Sequence, residues 1–404
     1  MYLGKRLISL ISSVLIASLI FTECGSNLSQ SVLSKGILTK EQKIYEEPGS
    51  NAEELNIEAI MNELTSEEYL SRLVGTDANT KSAQFIQNYY EAIGLEPFND
   101  ESYLEVVDLN KEMRSFFNPA GDNENEVDNI IGVIKGEDSS KAIVISAHFD
   151  HVTIRSKLEE ADTNTESQQI SVNKIQGAID NASGVATLLE TAKELSAYYN
   201  DNKPPYDIIF AAFNAEELGL IGSRKFVSEF RDKYDKWYDI NIDCIGVKGN
   251  NGLAVKNNDP LSQELYDDFI EVLDENEVYY EIVPYAMNEE GVIVGSSDHM
   301  SFRRANDASL IIGQDGITEI VHTEDDNMSI VDCKLIENIK DALVDFIIKN
   351  DIKVKSITVD NGLEFNALGI AAKKLGVKLY KCDPYCSFQR GTNERMNAMV
   401  RRFL

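Results

Sequence analysis

Four histidines are spread over 404 residues, and each sits in a short polar cluster at the end of an apolar run. His148 and His151 fall in AHFDH, His299 in SDHMSF and His322 in VHTEDD. Carboxylates gather at equivalent places: Asp150 beside His148, Asp180 in GAIDNASG, Glu216 and Glu217 in NAEELGLIGS, and Asp243 in NIDCIG. Imidazole nitrogens and carboxylate oxygens together suit zinc, which takes such donors at about 2.0–2.2 Å. No thiolate is among the donors, which speaks against a closed structural zinc and for an open hydrolytic site. Glu216 and Glu217 add a constraint. Neighbouring side chains on extended backbone point opposite ways, so the pair is either two solvated charges at a helix start or two groups with separate tasks. Taken singly, each residue has a plainer role: a satisfied strand-end histidine, a helix cap at Asp180, a pair of acids favouring a helix N-terminus, a turn former at Asp243. Their shared order and placement weigh against five separate plain roles.

Side chains so far apart in sequence can meet only if the backbone gathers them. NIIGVIKG and AIVISAHFD read as strands, ASGVATLLETAKELSAYY as a helix, YDIIFAAFNA as a strand and LGLIGSRKFVSEF as a helix. YDINIDCIG then reads as a strand, PLSQELYDDFIEVLDEN as a helix, ASLIIG as a strand and LIENIKDALVDFIIKN as a closing amphipathic helix. Upstream, Ala83, Ile86, Tyr89, Tyr90 and Ile93 keep helical spacing, with Gly94 placed as a C-cap. This alternation predicts a mainly parallel sheet with helices on both faces, and the unbroken run IIFAAF fits its buried centre. In open sheets of this kind the carboxyl ends of the strands form the ligand crevice. The histidines and carboxylates fall there. The polar stretch 155–174 is long enough to be a lid over that crevice or a disordered loop.

The order AHFDH, GAIDNASG, NAEELGLIGS, NIDCIG, SDHMSF, VHTEDD resembles the consecutive motifs of the co-catalytic zinc aminopeptidases. That family includes bacterial leucine aminopeptidases, glutamate carboxypeptidase II and the glutaminyl cyclases. The likeness covers about residues 55–350. It implies a three-layer αβα zinc-exopeptidase domain with a mainly parallel mixed sheet. It also implies two zinc ions per chain and hydrolysis of the N-terminal peptide bond of peptide substrates by a zinc-activated water. Carried over by position, Asp180 would bridge the two ions, His148 and Asp243 would complete one ligand set, and Glu217 and His322 the other. Glu216 would be the catalytic base that takes the proton of the attacking water, and Asp150 would orient His148 from behind. Two positions depart from the pattern. Val321 stands where members often carry a Tyr that helps hold the oxyanion, and Ile179 replaces a frequent Asp. The rival readings are a single-zinc glutaminyl cyclase and a non-catalytic binding ectodomain; the presence of all five donors speaks against the ectodomain.

Composition sets the surroundings. With 38 basic against 68 acidic residues the chain carries −30, which argues against nucleic acid or anionic lipid as partner of the main body. Residues 1–24 read as an export signal, since Lys5 and Arg6 precede an apolar stretch from Leu7 to Phe21 that is too short to span a bilayer comfortably. Cys24 in FTECGSN stands where a lipoprotein signal has its lipidated cysteine, although Phe21 and Glu23 depart from a lipobox. Residues 25–50 follow as a polar tether and 51–350 as the peptidase domain, so the expected place is the outer face of the cell membrane, lipid-anchored at Cys24 or secreted. The other four cysteines make no disulfide framework. Residues 353–404 reverse the charge: they hold 10 basic and 4 acidic residues, leaving 28 against 64, or −36, for the rest. Within them SITVDNGLEF and KLYKCDPYCSFQRGTNERMNAMVRRF resemble the end of the catalytic core of insertion-sequence DDE transposases, part of an RNase H-like core. Asp360 and Glu394, with 33 residues between them, match its last two metal-binding carboxylates. The first carboxylate of that triad and a DNA-binding domain are missing, so an inert remnant without functional nucleic-acid binding is expected.

Overall fold

The computed structural model describes residues 55–99, 101–109, 126–156, 171–250, 253–256, 260–281, 297–350, 356–359 and 378–381. The chain divides into two units, Met1–Glu46 and Glu47–Leu404, and every described residue belongs to the second. The export signal, the tether, Cys24, and Asp360 and Glu394 lie outside the described residues. Among those described, no helix is long and apolar enough to cross a membrane.

Two helices lead. In α1 (Ile57–Leu64) the Asn56 side chain accepts the Ala59 amide, and in α2 (Asp77–Ala92) Thr76 accepts that of Asn79. The stop predicted at Gly94 is met, with φ at +76°, where glycine goes without steric cost. The chain continues through β1 (Glu96–Pro97), β2 (Leu104–Asp108), β3 (Glu126–Ile134) and β4 (Asp138–His148). Next come β5 (Ile154–Ser156) and β6 (Ser171–Asn173), an antiparallel pair at the two ends of the long polar stretch. Then follow α3 (Ser183–Tyr198), β7 (Tyr206–Phe213), α4 (Ile221–Phe230), β8 (Lys236–Ile242), β9 (Leu253–Lys256) and α5 (Gln263–Glu275). After these come α6 (His299–Arg304), β10 (Ala308–Gln314) and α7 (Cys333–Asn350). A separate parallel pair, β11 (Ser356–Val359) with β12 (Lys378–Lys381), is all that is described of the basic tail.

The main sheet runs β1-β3-β7-β4-β8-β10-β9, with β2 added on β3. Its centre β7-β4-β8-β10 is parallel, while β3 and β9 join antiparallel, so the sheet is mixed around a parallel middle. Both faces of that middle are covered. On β7, Ile208, Phe210 and Ala212 enter one core and Ile209, Ala211 and Phe213 the other, so its unbroken apolar run serves two cores at once. The first core is closed by α1, α2, α3, α5 and α7 through residues such as Ile60, Tyr90, Leu188, Phe269 and Leu343. The second is closed by α4 and α6, where Phe226 and Phe302 pack on Trp237. Truncating such a buried ring typically costs about 3–5 kcal/mol, so this aromatic cluster is a main anchor of the second face.

Winding direction fixes the crevice. From β4 the chain crosses the first face through α3 to reach β7 on one side of β4. From β7 it crosses the second face through α4 to reach β8 on the other side of β4. The winding reverses at β4, and a cleft opens beyond the carboxyl ends of β4, β7 and β8.

Candidate metal centre

His148 is the last residue of β4, Asp243 follows β8 directly, and Glu216 and Glu217 lie in the turn after β7. Asp180 sits in the irregular turn Ala178–Ala182 before α3, and His322 in the loop after β10. The donor atoms gather in two groups: His148, Asp180 and Asp243 in one, and His151, Asp180, Glu217 and His322 in the other. Asp180 belongs to both, and its two oxygens divide between them. Oδ1 lies 3.3 Å from His148 Nε2, and Oδ2 lies 2.9 Å from His322 Nε2. His148 Nε2 is also 3.3 Å from Asp243 Oδ1, and His322 Nε2 is 3.0 Å from Glu217 Oε1. Tetrahedral bonds of about 2.0–2.1 Å put neighbouring donors roughly 3.3 Å apart, so the spacing suits zinc.

His151 was not among the predicted ligands. It is fully buried, and neither ring nitrogen makes a hydrogen bond. Its Nδ1 lies 3.4 Å from Glu217 Oε1 and 3.9 Å from Asp180 Oδ2. A buried ring without partners is costly, and a cation held by the second group would give it one. Gly177 makes room for it: φ is +58°, and a Cβ there would stand 2.5 Å from His151 Cδ2. His299 joins neither group; it opens α6, and its carbonyl accepts the Ser309 hydroxyl.

Asp150 reaches His148 and the two glutamates through different groups. Its backbone carbonyl, 3.1 Å away, accepts from His148 Nδ1, which leaves Nε2 free for a cation. Its carboxylate, 3.8 Å from that nitrogen, instead accepts the amides of Glu216 and Glu217 at 3.0 and 3.2 Å. Asp150 is fully buried and absent from the cavity wall, so it positions both the imidazole and the glutamate turn and does not meet substrate.

Glu216 and Glu217 neither extend β7 nor start α4. They occupy a tight turn in which the Glu216 carbonyl accepts the Gly219 and Leu220 amides at 2.7 and 2.8 Å. Ala215 and Leu220 bracket the pair at φ +58° and +62°, and Cys244 and His322 adopt +62° nearby. Four non-glycine residues in left-handed backbone around one cavity persist only where their surroundings enforce it. Asn214 is one enforcer. Its side chain exchanges hydrogen bonds of 2.9 and 3.0 Å with Asn79, and its Oδ1 accepts the Ala215 amide.

The bridging carboxylate is held in a similar way. Asp326, the last residue of VHTEDD, accepts the amides of Ile179 and Asp180 at 2.6 and 3.1 Å. Asn181, joined to Asp180 by a cis peptide, donates to the Ile242 carbonyl and accepts the Gly184 and Cys244 amides. Arg72, fully buried, donates to the carbonyls of Leu64, Phe149, Gln176 and Gly177. Burial pulls its guanidinium down to about 10, and the nearby Asp326, Asp180, Asp150 and Glu217 oppose that fall. Nothing in LSRLVGT marks this arginine as part of a site.

The electrostatics separate the two glutamates. Burial pushes the Glu216 carboxyl well above the ordinary range, with Asp298, Glu217 and Asp243 adding to the rise and His148 opposing it. Glu217 moves down despite its burial, because His151 and His322 face it. Burial also works against an ionised Asp180, yet bonds from His148 and His322 hold it well below the usual range. Those same carboxylates push His322 up to about 11 through hydrogen bonds to Asp180 and Glu217. Protons and a metal ion would compete for one set of donors. The cavity over them measures about 530 Å³ and includes His148, Asp180, Glu216, Glu217, Asp243 and His322 in its wall.

The profile of peptidase family M28 matches residues 129–347. Among curated proteins, the chain is 36% identical over 132 residues to a glutamate carboxypeptidase 2 homolog of Caenorhabditis briggsae, covering 31% of this chain and 14% of that protein. It is 25% identical over 345 residues to aminopeptidase YwaD of Bacillus subtilis, covering 81% of this chain and 64% of that protein. The chain thus spans less than two thirds of either relative. A stretch of 51 residues is 43% identical to the transposase for insertion sequence element IS4351 of Bacteroides fragilis, covering 13% of this chain and 16% of that protein. Among solved structures, BSAP, a zinc aminopeptidase from Bacillus subtilis, superposes with a TM-score of 0.54 at 18% identity, over 75% of this chain and 96% of that one. A glutaminyl cyclase from Fimbriiglobus ruber does so with 0.55 at 14% identity, over 75% and 97%. At such identities the likeness speaks for the fold, a mixed sheet between helical layers.

Proposed function

This chain belongs to peptidase family M28, and from that premise we propose that it is a zinc metallo-aminopeptidase that removes N-terminal residues from peptides at a two-ion centre. The observation that carries the reading is the division of the Asp180 carboxylate, one oxygen toward each donor group. His148 and Asp243 would complete one site, and Glu217, His322 and the unpredicted His151 the other. When bound, two zinc ions would polarise the scissile carbonyl and bring the pKa of water toward neutrality. Glu216, in neither donor group, takes a proton from the attacking water as the C–O bond forms. It returns that proton to the leaving nitrogen as the C–N bond breaks, so one water is consumed and a free amino acid departs. Burial favours the protonated form of this carboxyl, the form that hands the proton on. Asp150 keeps Nδ1 of His148 protonated and the glutamate turn in place.

Similarity to aminopeptidase YwaD supports the N-terminal direction. The test is a matched pair of peptides, one with a free N-terminus and one N-acetylated, given to zinc-loaded protein. Only the free peptide should shorten from its N-terminus. Equal cleavage of both, or conversion of a glutaminyl peptide to pyroglutamate without hydrolysis, would overturn the reading. We further read residues 1–24 as the export signal and Cys24 as the lipid anchor. Residues 353–404 we read as an inert transposase remnant, a view that the similarity to the IS4351 transposase supports.

A further inference from the structure

Two arginines share the wall of the metal-centre cavity with its carboxylates: Arg224 on α4 and Arg304, the last residue of α6. We propose that they form a carboxylate-binding pair at the cavity mouth and select peptides that carry a carboxylate close to the scissile bond. That group is an acidic side chain next to the bond or the C-terminus of a very short peptide. This specificity rests on the peptidase reading above.

Both side chains are exposed, and neither forms an ion pair with another described residue. In a chain with 68 acidic against 38 basic residues, an arginine finds a partner easily. Arg231 pairs with Asp307 at 2.8 Å, and Arg72 is wrapped by carbonyls. Arg224 is also held in place. Its Nε donates to the Leu220 carbonyl one turn back, at 3.3 Å, and Leu220 itself lines the cavity. That bond leaves the terminal nitrogens to a ligand, in the fork geometry that matches a carboxylate.

The charge balance points the same way. Asp180, Glu216, Glu217 and Asp243 bring at most four negative charges to the wall. Two divalent ions would cancel them, and the ions' own charge has to be counted in such a site. The loaded wall then carries no net negative charge, and the two guanidiniums give it a positive rim. Its 530 Å³ lies within the range of small-ligand pockets, about 300–1,000 Å³, so the rim stays close to whatever occupies the centre.

The experiment compares kcat/KM of the zinc-loaded full chain on three pairs: Asp-Ala-Ala-NH2 with Asn-Ala-Ala-NH2, Ala-Asp-Ala-NH2 with Ala-Asn-Ala-NH2, and Ala-Ala with Ala-Ala-NH2. At least one pair should favour the carboxylate by about 10-fold or more, the scale of a charge-assisted hydrogen bond. Which pair does so identifies the source of the carboxylate. The Arg224→Gln/Arg304→Gln double variant, with zinc content verified, should erase that preference and change the neutral peptides less than about 3-fold. No carboxylate preference in the wild type, or an equal loss on every peptide, would overturn the proposal. If no peptide is cleaved, the peptidase reading fails and calorimetry decides for the arginines. L-aspartate should then bind the zinc-loaded wild type more tightly than L-asparagine and lose that advantage in the double variant. Equal binding of the two ligands refutes the pair.

Discussion

Glu217 Oε1 lies 3.0 Å from His322 Nε2, whereas Glu216 stands outside both donor groups. Substituting glutamine should therefore separate the two. Glu216→Gln is expected to keep its zinc and lose about 10²-fold or more in turnover, the usual scale for a general base. Glu217→Gln should lose one ion. Equal metal loss in both, measured by elemental analysis, would contradict the division of roles. His151→Asn should leave the fold intact but let a chelator strip zinc at lower concentration, since lost protein donors weaken binding; unchanged chelator sensitivity would remove His151 from the ligand set. The five donors predicted from the sequence were picked out by the order of their motifs, which resembles that of a known zinc family; residue type alone offered His151 and His299 as well. His151, Arg72 and Asp326 could not be ranked that way. His151 stands three residues beyond His148, and only the bend after β4 returns it to the cluster. Arg72 and Asp326 act on backbone groups, which any polar side chain could in principle reach.

Strands and helices of the centre are legible because their apolar runs are long and their periods unmistakable, as in IIFAAF. β2 is not, and its residues explain why. In LEVVD, Leu104 and Val106 are 36% and 38% exposed while Glu105 is buried against the Asn129 amide, the reverse of the usual alternation. The glutamate turn escaped for another reason: Ala215 and Leu220 carry no mark of left-handed backbone, which Asn214 and its partners impose. Glu105 gives this level its own test. Burial raises its carboxyl from 4.5 to about 7, and Asn129 and Lys225 oppose that only in part. The folded protein holds this proton more tightly than the unfolded chain. Its contribution to stability is thus complete below about pH 4.5 and is lost as pH rises through 7. Glu105→Gln should be neutral near pH 4.5 and stabilise by about 1–3 kcal/mol at pH 8, in denaturant unfolding at the two pH values. Equal effects at both would contradict the assignment.

Across the whole chain, every proposed donor precedes residue 323, and α7 closes the body at Asn350. Removing residues 353–404 is expected to leave most of the peptidase activity, because none of the proposed donors lies among them. A truncated protein that unfolds or loses most of its activity would make the tail part of the enzyme. The charge reversal at residue 353 is visible in composition alone, while a relation between the tail and the sheet is not something composition can encode. The central claim, a two-ion hydrolytic centre bridged by Asp180, is tested most directly by titrating zinc into metal-free protein while following N-terminal hydrolysis. Activity should be absent without metal and rise to a plateau at about two zinc ions per chain. Hydrolysis by the metal-free protein, or a plateau reached at one ion, would contradict it.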